Sequence, residues 1–403
     1  MTMFFRALSR IAVVVAALLV AATAAAQQTN LVDLTGAQAS VTPGWAFTPS
    51  LVLSHTYDDN VLLHGPGDPQ NRDNIDIINP RADVLFNGPR GTFSARYDGA
   101  FARYNSLSDL NSYNQRATVY DKQQLSRRVA FLLDGSATKA PTTEFLELSG
   151  VPFVRTGVFT AGVRAGFEST VTAHTSINVD ARVEHAKFDA TDQFANLLVG
   201  GDSITGDLGI RHRISERTTL TADLDAQRAT LGVAGEVFNI QHVTGGVERQ
   251  LSENVRLFAA GGFSRLAASA FGPERTDPSW KLGLVQRYRS TILELSYNRS
   301  FVPSFGFGGT TRNEEVLGRV HLPITRAIYT TDLVSYRRND PLVIDVSHLR
   351  ALWVEVSVGY AARPWIRIEA FFNGTRQNAD VASALTHNQY GIQVITGTPV
   401  RIR

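Results

Sequence analysis

The chain has 403 residues, 43% of them hydrophobic and 19% charged, with a formal net charge of +2 and no cysteine. So slight a positive balance argues against nucleic acid as a partner, and a chain without thiols offers neither a disulfide framework nor a thiolate metal site. A soluble protein of this length would ordinarily divide into domains, yet no compositional boundary is visible, and beyond the N-terminus no apolar run is long enough to cross a bilayer as a helix.

Arg6 and Arg10 precede an unbroken apolar stretch over 11–20, and small residues end in Ala24-Ala25-Ala26. This is the pattern of a secretory signal, so residues 1–26 are expected to be removed and 27–44 to form a short periplasmic segment. From 45 to 403, segments with period-two alternation recur about every twenty residues, with no competing helical period. In chain order they centre on Val52, Ala82, Tyr97, Ala117, Leu133, Val163, Val183, Ile210, Leu224, Val243, Ala259, Leu284, Leu295, Val320, Leu333, Val356, Ile368 and Ile392. They predict an all-β fold, a transmembrane antiparallel up-and-down β-barrel of about eighteen strands (about sixteen at the least).

The connections alternate in length. Short turns at 87–90, 125–127, 172–175, 215–217, 252–254, 289–290, 325–326 and 362–364 separate longer polar segments at 58–72, 105–112, 139–154, 189–202, 230–236, 268–277, 301–312, 338–348 and 374–386. Outer-membrane barrels have short periplasmic turns and long extracellular loops, which puts both chain ends in the periplasm. In hydrocarbon no water satisfies an open sheet edge, so the strand at Trp45 is expected to pair with the strand at Tyr390.

Within strands, Asn178, Asp180, Arg182 and Glu184 alternate with Ile177, Val179, Ala181 and Val183. A soluble sandwich alternates too, but aromatic spacing favours lipid on the apolar side: Phe93 and Phe101, Phe159 and Phe167, and Trp280 and Tyr288 stand eight residues apart on the apolar phase. Eight residues rise about 20 Å along the normal when a strand tilts near 40°, close to the height of the band between two aromatic girdles. The segments near Val243 and Leu333 alternate poorly.

The polar phase supplies candidates for the lumen wall: Arg96, Asp98, Arg116, Arg128, Arg164, Glu168, Asp180, Arg182, Glu184, Arg211, Arg213, Asp223, Asp225, Lys281, Arg287, Glu294, Arg319, Arg367 and Glu369. Both signs are interspersed, which suits a hydrated lumen whose charge tunes passage and equally suits pairing across strands to stiffen the wall. A barrel of this strand number is wide enough for an aqueous channel.

Asp58, Asp59 and Asn60, with Asp68 and Asp73 in the same loop, could supply oxygen ligands to calcium, and turn chemistry accounts for the same residues. The histidines form no pair at metal-ligand spacing, and there is neither a Gly-x-Ser-x-Gly elbow nor a phosphate-cradling glycine loop. Neither an enzyme nor a cofactor is expected.

The run Val52-Leu53-Ser54-His55-Thr56-Tyr57-Asp58-Asp59-Asn60-Val61-Leu62, placed at the first strand, resembles the tyrosine-aspartate-asparagine-valine opening of outer-membrane beta-barrel porin families. It is most similar to the outer-membrane proteins found with exopolysaccharide and exosortase systems. The resemblance implies a porin-like barrel serving polysaccharide export, with no catalytic residues to carry over. One departure concerns the C-terminus: such barrels commonly end in an aromatic residue, whereas this chain ends Thr398-Pro399-Val400-Arg401-Ile402-Arg403. Gly397 and Pro399 predict a bulge or an early stop to the last strand.

The sequence therefore predicts an integral outer-membrane channel, inserted by the outer-membrane assembly machinery. Its expected partners are membrane lipid and either small hydrophilic solutes or a polysaccharide in the lumen. Two rivals stand beside it: a docking barrel with a plugged lumen for a surface-polysaccharide system, and a hydrolase whose Ser, His and carboxylate meet at one height of the wall.

Overall fold

The computed structural model describes residues 43–65, 71–142, 155–189, 198–232, 234–270, 272–306, 308–342, 348–379, 382–398 and 400–402. The expected signal peptide, nearly all of 27–44, the core of the 139–154 loop and Asp68 lie outside the described residues.

Eighteen strands follow one another along the chain. They are β1 (Gly44–Asp58), β2 (Asp73–Gly88), β3 (Gly91–Tyr104), β4 (Ser112–Gln124), β5 (Val129–Pro141), β6 (Gly157–Thr170), β7 (Thr175–Phe188), β8 (Gly201–Ser215) and β9 (Thr218–Leu231). The second half comprises β10 (Glu236–Ser252), β11 (Val255–Leu266), β12 (Arg275–Tyr288), β13 (Thr291–Pro303), β14 (Thr310–Pro323), β15 (Ile328–Pro341), β16 (Leu349–Arg363), β17 (Ile366–Ala379) and β18 (Ala382–Gly397, resuming at Val400–Ile402). Every centre expected from the alternation falls within its own strand, in order.

All neighbouring strands pair antiparallel, and β1 pairs with both β2 and β18, so the sheet closes without a free edge. Tyr57 of β1 lies opposite Tyr390 of β18. Followed once around the wall, the register returns to β1 displaced by about 22 residues. For this strand number such a stagger sets a tilt of about 40° and a backbone diameter of roughly 35 Å.

Near the end of the chain one expectation is met and one is corrected. β18 stops at Gly397, as the glycine and proline there predict, and pairing with β1 resumes at Val400 in the same register, with Ser50 opposite Gly397 and Phe47 opposite Val400. β1 extends down to Trp45, opposite Ile402, and so offers the terminus backbone partners that a free end would lack. The segment 374–386 is not a long loop, because β17 reaches Ala379 and β18 begins at Ala382, with those two residues opposite each other. Thr375 and Gln377, whose polarity reads as loop, instead face inward and are buried, as is His387 just beyond that segment.

The side chains divide into two phases. The large apolar residues that remain exposed on strands occupy one phase, among them Phe101, Val163, Val183, Ile204, Phe263, Leu282 and Ile392. Hydrogen bonds close around the whole wall while its outer surface stays apolar, which is the arrangement that spans a bilayer. The six girdle candidates lie on this outward phase. Trp45 packs on Phe86 with ring centroids 4.8 Å apart and Phe131 on Phe167 at 5.4 Å, towards the short turns. Phe101 stacks on Tyr113 at 4.2 Å and Phe372 meets Tyr390 at 5.1 Å, towards the long loops.

The two weakly alternating strands have separate causes. In β10 the inward residues Phe238 and Ile240 are themselves apolar and buried, because material packs against them inside the barrel. In β15 the pattern breaks at one place, where Asp332 stands on the outward phase opposite Val320 and Val356 and Leu333 on the inward phase.

Candidate functional site: the lumen and its mouth

The inward phase forms a belt of paired charges. Arg96 Nε donates to Asp83 at 2.5 Å and Arg81 Nε to Asp98 at 2.8 Å, joining β2 to β3. Lys122 reaches Glu168 at 3.1 Å, past β5, and Arg319 reaches Glu294 at 3.4 Å. Arg164 holds Asp180 through two parallel bonds of 2.7 and 2.9 Å, the fork geometry that makes Arg–carboxylate pairs strong. Arg182 lies 3.8 Å from Glu184. Arg211 and Arg256 share Glu248 at 3.8 and 3.4 Å. Glu369 accepts from Tyr329 and, at 2.6 Å, from Gln393.

One row of the register carries a run of acids. Asp180 of β7 lies opposite Asp207 of β8, and Asp207 lies opposite Asp225 of β9. Three carboxyls on adjacent strands repel unless cations stand near them, and Arg164 is the cation bound directly to this row.

Except for Arg128, every lumen candidate lies on the inward phase of its strand: Arg116, Asp223 and Lys281 at mid-wall, and Arg213, Arg287 and Arg367 near the short turns. Arg128 belongs to the β4–β5 turn. There the Ser126 hydroxyl accepts from the backbone N–H of both Arg128 and Val129, each at 3.2 Å, so the turn ends one residue later than the alternation suggests. The inward belt also holds Arg81, Asp83, Lys122, Asp134, Asp207, Glu248 and Arg256, which the alternation did not single out. Pairing would have found Asp207, since its strand partners on both sides are candidate acids.

The loop-side mouth has a different chemistry. β13 leaves β12 beyond the pair Trp280–Arg299 but stays with β14 up to Pro303 opposite Thr310. The freed end leans inward, and Phe301 and Phe305 pack on Ala186, Ala229, Leu231, Phe238, Ile240 and Leu266 of the inner wall, with Leu342. Phe301, Ile240 and Leu231 are no more than 1% exposed. Beyond Phe305 the strap bridges to the β7–β8 connection, with Val199 N–H donating to Gly306 at 2.7 Å and Gly306 N–H to Val199 at 2.8 Å. Gly306, Gly308 and Gly309 hold φ of 117°, 79° and 75°, left-handed values that let the strap turn back towards β14. Two further apolar clusters, around Val158 and Phe188 and around Ile75 and Tyr104, line the same end of the wall.

The motif at the first strand lies beside this mouth and ties the ends of the barrel together. Asp58 accepts from His387 Nε2 and Gln389 Nε2, both at 2.9 Å, and Asp59 accepts from the backbone and side chain of Asn388 at 2.8 and 2.7 Å. Asn60 donates to the Thr386 carbonyl at 2.9 Å. Asp73 accepts from the backbone N–H groups of Ser106 and Leu107. Their acids thus serve as hydrogen-bond acceptors at the seam and at the β2–β3 rim, and among the described residues no group of three or more His, Asp or Glu is arranged to hold a metal.

No protein-family model matches the sequence, and no curated protein matches it. Similar solved structures include OpdO of Pseudomonas aeruginosa, with a TM-score of 0.46 and 12% identity over 89% of this chain and 98% of that one. The outer membrane protein opdK of the same organism has a TM-score of 0.45 and 11% identity over 88% and 99% of the two chains. The siderophore receptor PirA from Pseudomonas aeruginosa has a TM-score of 0.43 and 8% identity over 89% and 80%.

Proposed function

We propose that this chain is a porin-like outer-membrane channel that lets small hydrophilic solutes cross without covalent chemistry, with its loop-side mouth held narrow by the β13–β14 strap. The observation that carries the reading is the inner wall itself: paired charges of both signs cover its middle, and such a surface is stable next to water and costly next to hydrocarbon. The strap then sets the size of what passes. A growing polysaccharide would have to displace it.

A second reading follows from the mouth. Phe301 and Phe305 seal apolar surface against the inner wall, as a plug does, and this favours a docking barrel of a surface-polysaccharide system. Planar-bilayer recording separates the two. The channel reading expects small steps from the wild type and conductance at least about twofold higher after Phe301→Ala with Phe305→Ala, because the loosened strap widens the narrowest section. Silence from both proteins would overturn it in favour of docking.

A further inference from the structure

The outward phase carries a second pattern, at its loop-side end. On four strands an aromatic residue is followed two positions later by a cation: Phe101 and Arg103 on β3, Phe263 and Arg265 on β11, Tyr297 and Arg299 on β13, Tyr336 and Arg338 on β15. At the corresponding positions β5, β7, β9 and β17 carry Lys139, Lys187, Arg228 and Arg376. After β1, every strand that runs towards the long loops therefore places one cation on its outer face near its end. With tilt and stagger included, the eight positions fall within about 4 Å of one level along the axis, about 5 Å above the upper aromatic girdle.

Charge at this level is not balanced within the protein. The acids on the outer face are already occupied: Asp76 by His55 at 2.8 Å, Asp202 by His185 at 2.8 Å, Glu314 by Arg299 at 3.4 Å and Asp340 by Arg338 at 2.9 Å. Glu274, in the adjoining connection, holds Arg265 at 2.8 Å. Arg103, Lys139, Lys187, Arg228 and Arg376 are exposed and make no ion pair among the described residues. The opposite end differs: among the described residues, the outer face near the short turns carries Asp121, His212 and Arg249, with Tyr288 and Tyr360.

We infer that this ring binds the phosphate groups of lipids in the leaflet on the loop side. Aromatic girdles mark the boundary of the hydrocarbon, and the first polar layer above it holds the lipid phosphates. Long cationic side chains rooted at that boundary extend to this layer, where guanidinium and ammonium groups meet phosphate oxygens. The ring fixes the depth and orientation of the barrel, and it acts independently of any flow through the lumen.

The test is native mass spectrometry of the detergent-solubilised full chain titrated with dioleoyl phosphatidylglycerol, dioleoyl phosphatidylcholine or diphosphoryl lipid A. The wild type is expected to retain the two anionic lipids at least about tenfold better than phosphatidylcholine, with the preference fading towards about 1 M salt. A variant with Arg103→Gln, Lys139→Gln, Lys187→Gln and Arg228→Gln removes cations that hold no protein partner. It is expected to lose most of the preference, whereas Arg103→Lys with Arg228→Lys keeps it. A turn-side control with Arg90→Gln, Arg127→Gln, Arg217→Gln and Arg326→Gln is expected to keep it too. Full preference in the ring variant, or its loss in the turn-side control, would overturn the inference. Should the quadruple variant not fold, the salt dependence of the wild type and the four single changes decide in the same way.

Discussion

Asp58 and His387, separated by 329 positions in the chain, meet at 2.9 Å on the seam where the first strand joins the last. The carboxylate is 3% exposed and the imidazole 10%. Backbone pairing alone leaves a closing seam no different from any other strand boundary, so these side chains fix the register at the one junction made by distant parts of the chain. Asp58→Ala would strand a buried donor on His387 and a half-buried one on Gln389, at a cost of about 2–3 kcal/mol. Urea unfolding in lipid vesicles should show that loss, and Asp59→Ala, whose acceptor role at Asn388 is less buried, should lose less.

The acid row on β7, β8 and β9 gives a prediction about selectivity. Arg164→Gln frees Asp180 next to Asp207 and Asp225 and leaves the inner wall more negative. The reversal potential in a salt gradient should move towards cation preference. Adding Asp180→Asn should move it back, because the local charge is then restored.

The two phases differ in what they tolerate. Val183→Arg places a cation against lipid near mid-wall and should cost about 2–4 kcal/mol, whereas Ser136→Arg, on the inward phase, should cost less than about 1 kcal/mol. Asp332 is the reverse case, a carboxylate already on the outer face between valines. Asp332→Leu should stabilise the barrel by about 1–2 kcal/mol in the same unfolding experiment.

The strap depends on its glycines. A Cβ at Gly308 would sit 3.3 Å from the Val199 side chain, at a φ of +79° that favours glycine. Gly308→Val should therefore loosen the bridge to Val199 and raise the open-channel noise in single-channel records, while Gly206→Val, at a position with nothing near its Cβ, leaves the noise unchanged.

Most of the architecture was legible because lipid and water impose a two-residue period. Ile177 to Glu184 showed it without interruption, and the eighteen centres could be read from segments of that kind. The places that misled were those where something other than lipid or water covers the wall. Phe238 and Ile240 face the strap, so β10 reads as irregular, and Thr375 and Gln377 are polar residues buried on the inner face of β17, so a hairpin reads as a loop. The strap itself left no periodic signal, since Phe305 and its glycines belong to a connection whose inward course is set by packing across the mouth. Asp58, Asp59 and Asn60 were visible as a motif, but their partners on β18 lie too far along the chain for spacing to reveal them.

If the apolar phase meets acyl chains and the polar phase meets water, the two must differ residue by residue along β7, and the absence of native cysteine allows that strand to be probed one position at a time. Single changes Val179→Cys, Ala181→Cys and Val183→Cys, and separately Asn178→Cys, Asp180→Cys and Arg182→Cys, can be labelled in reconstituted vesicles with a fluorophore quenched by doxyl-labelled lipid. Strong lipid quenching is expected at 179, 181 and 183, with fast reaction towards a charged thiol reagent at 178, 180 and 182. Quenching at the even positions, or no alternation along the strand, would contradict that arrangement.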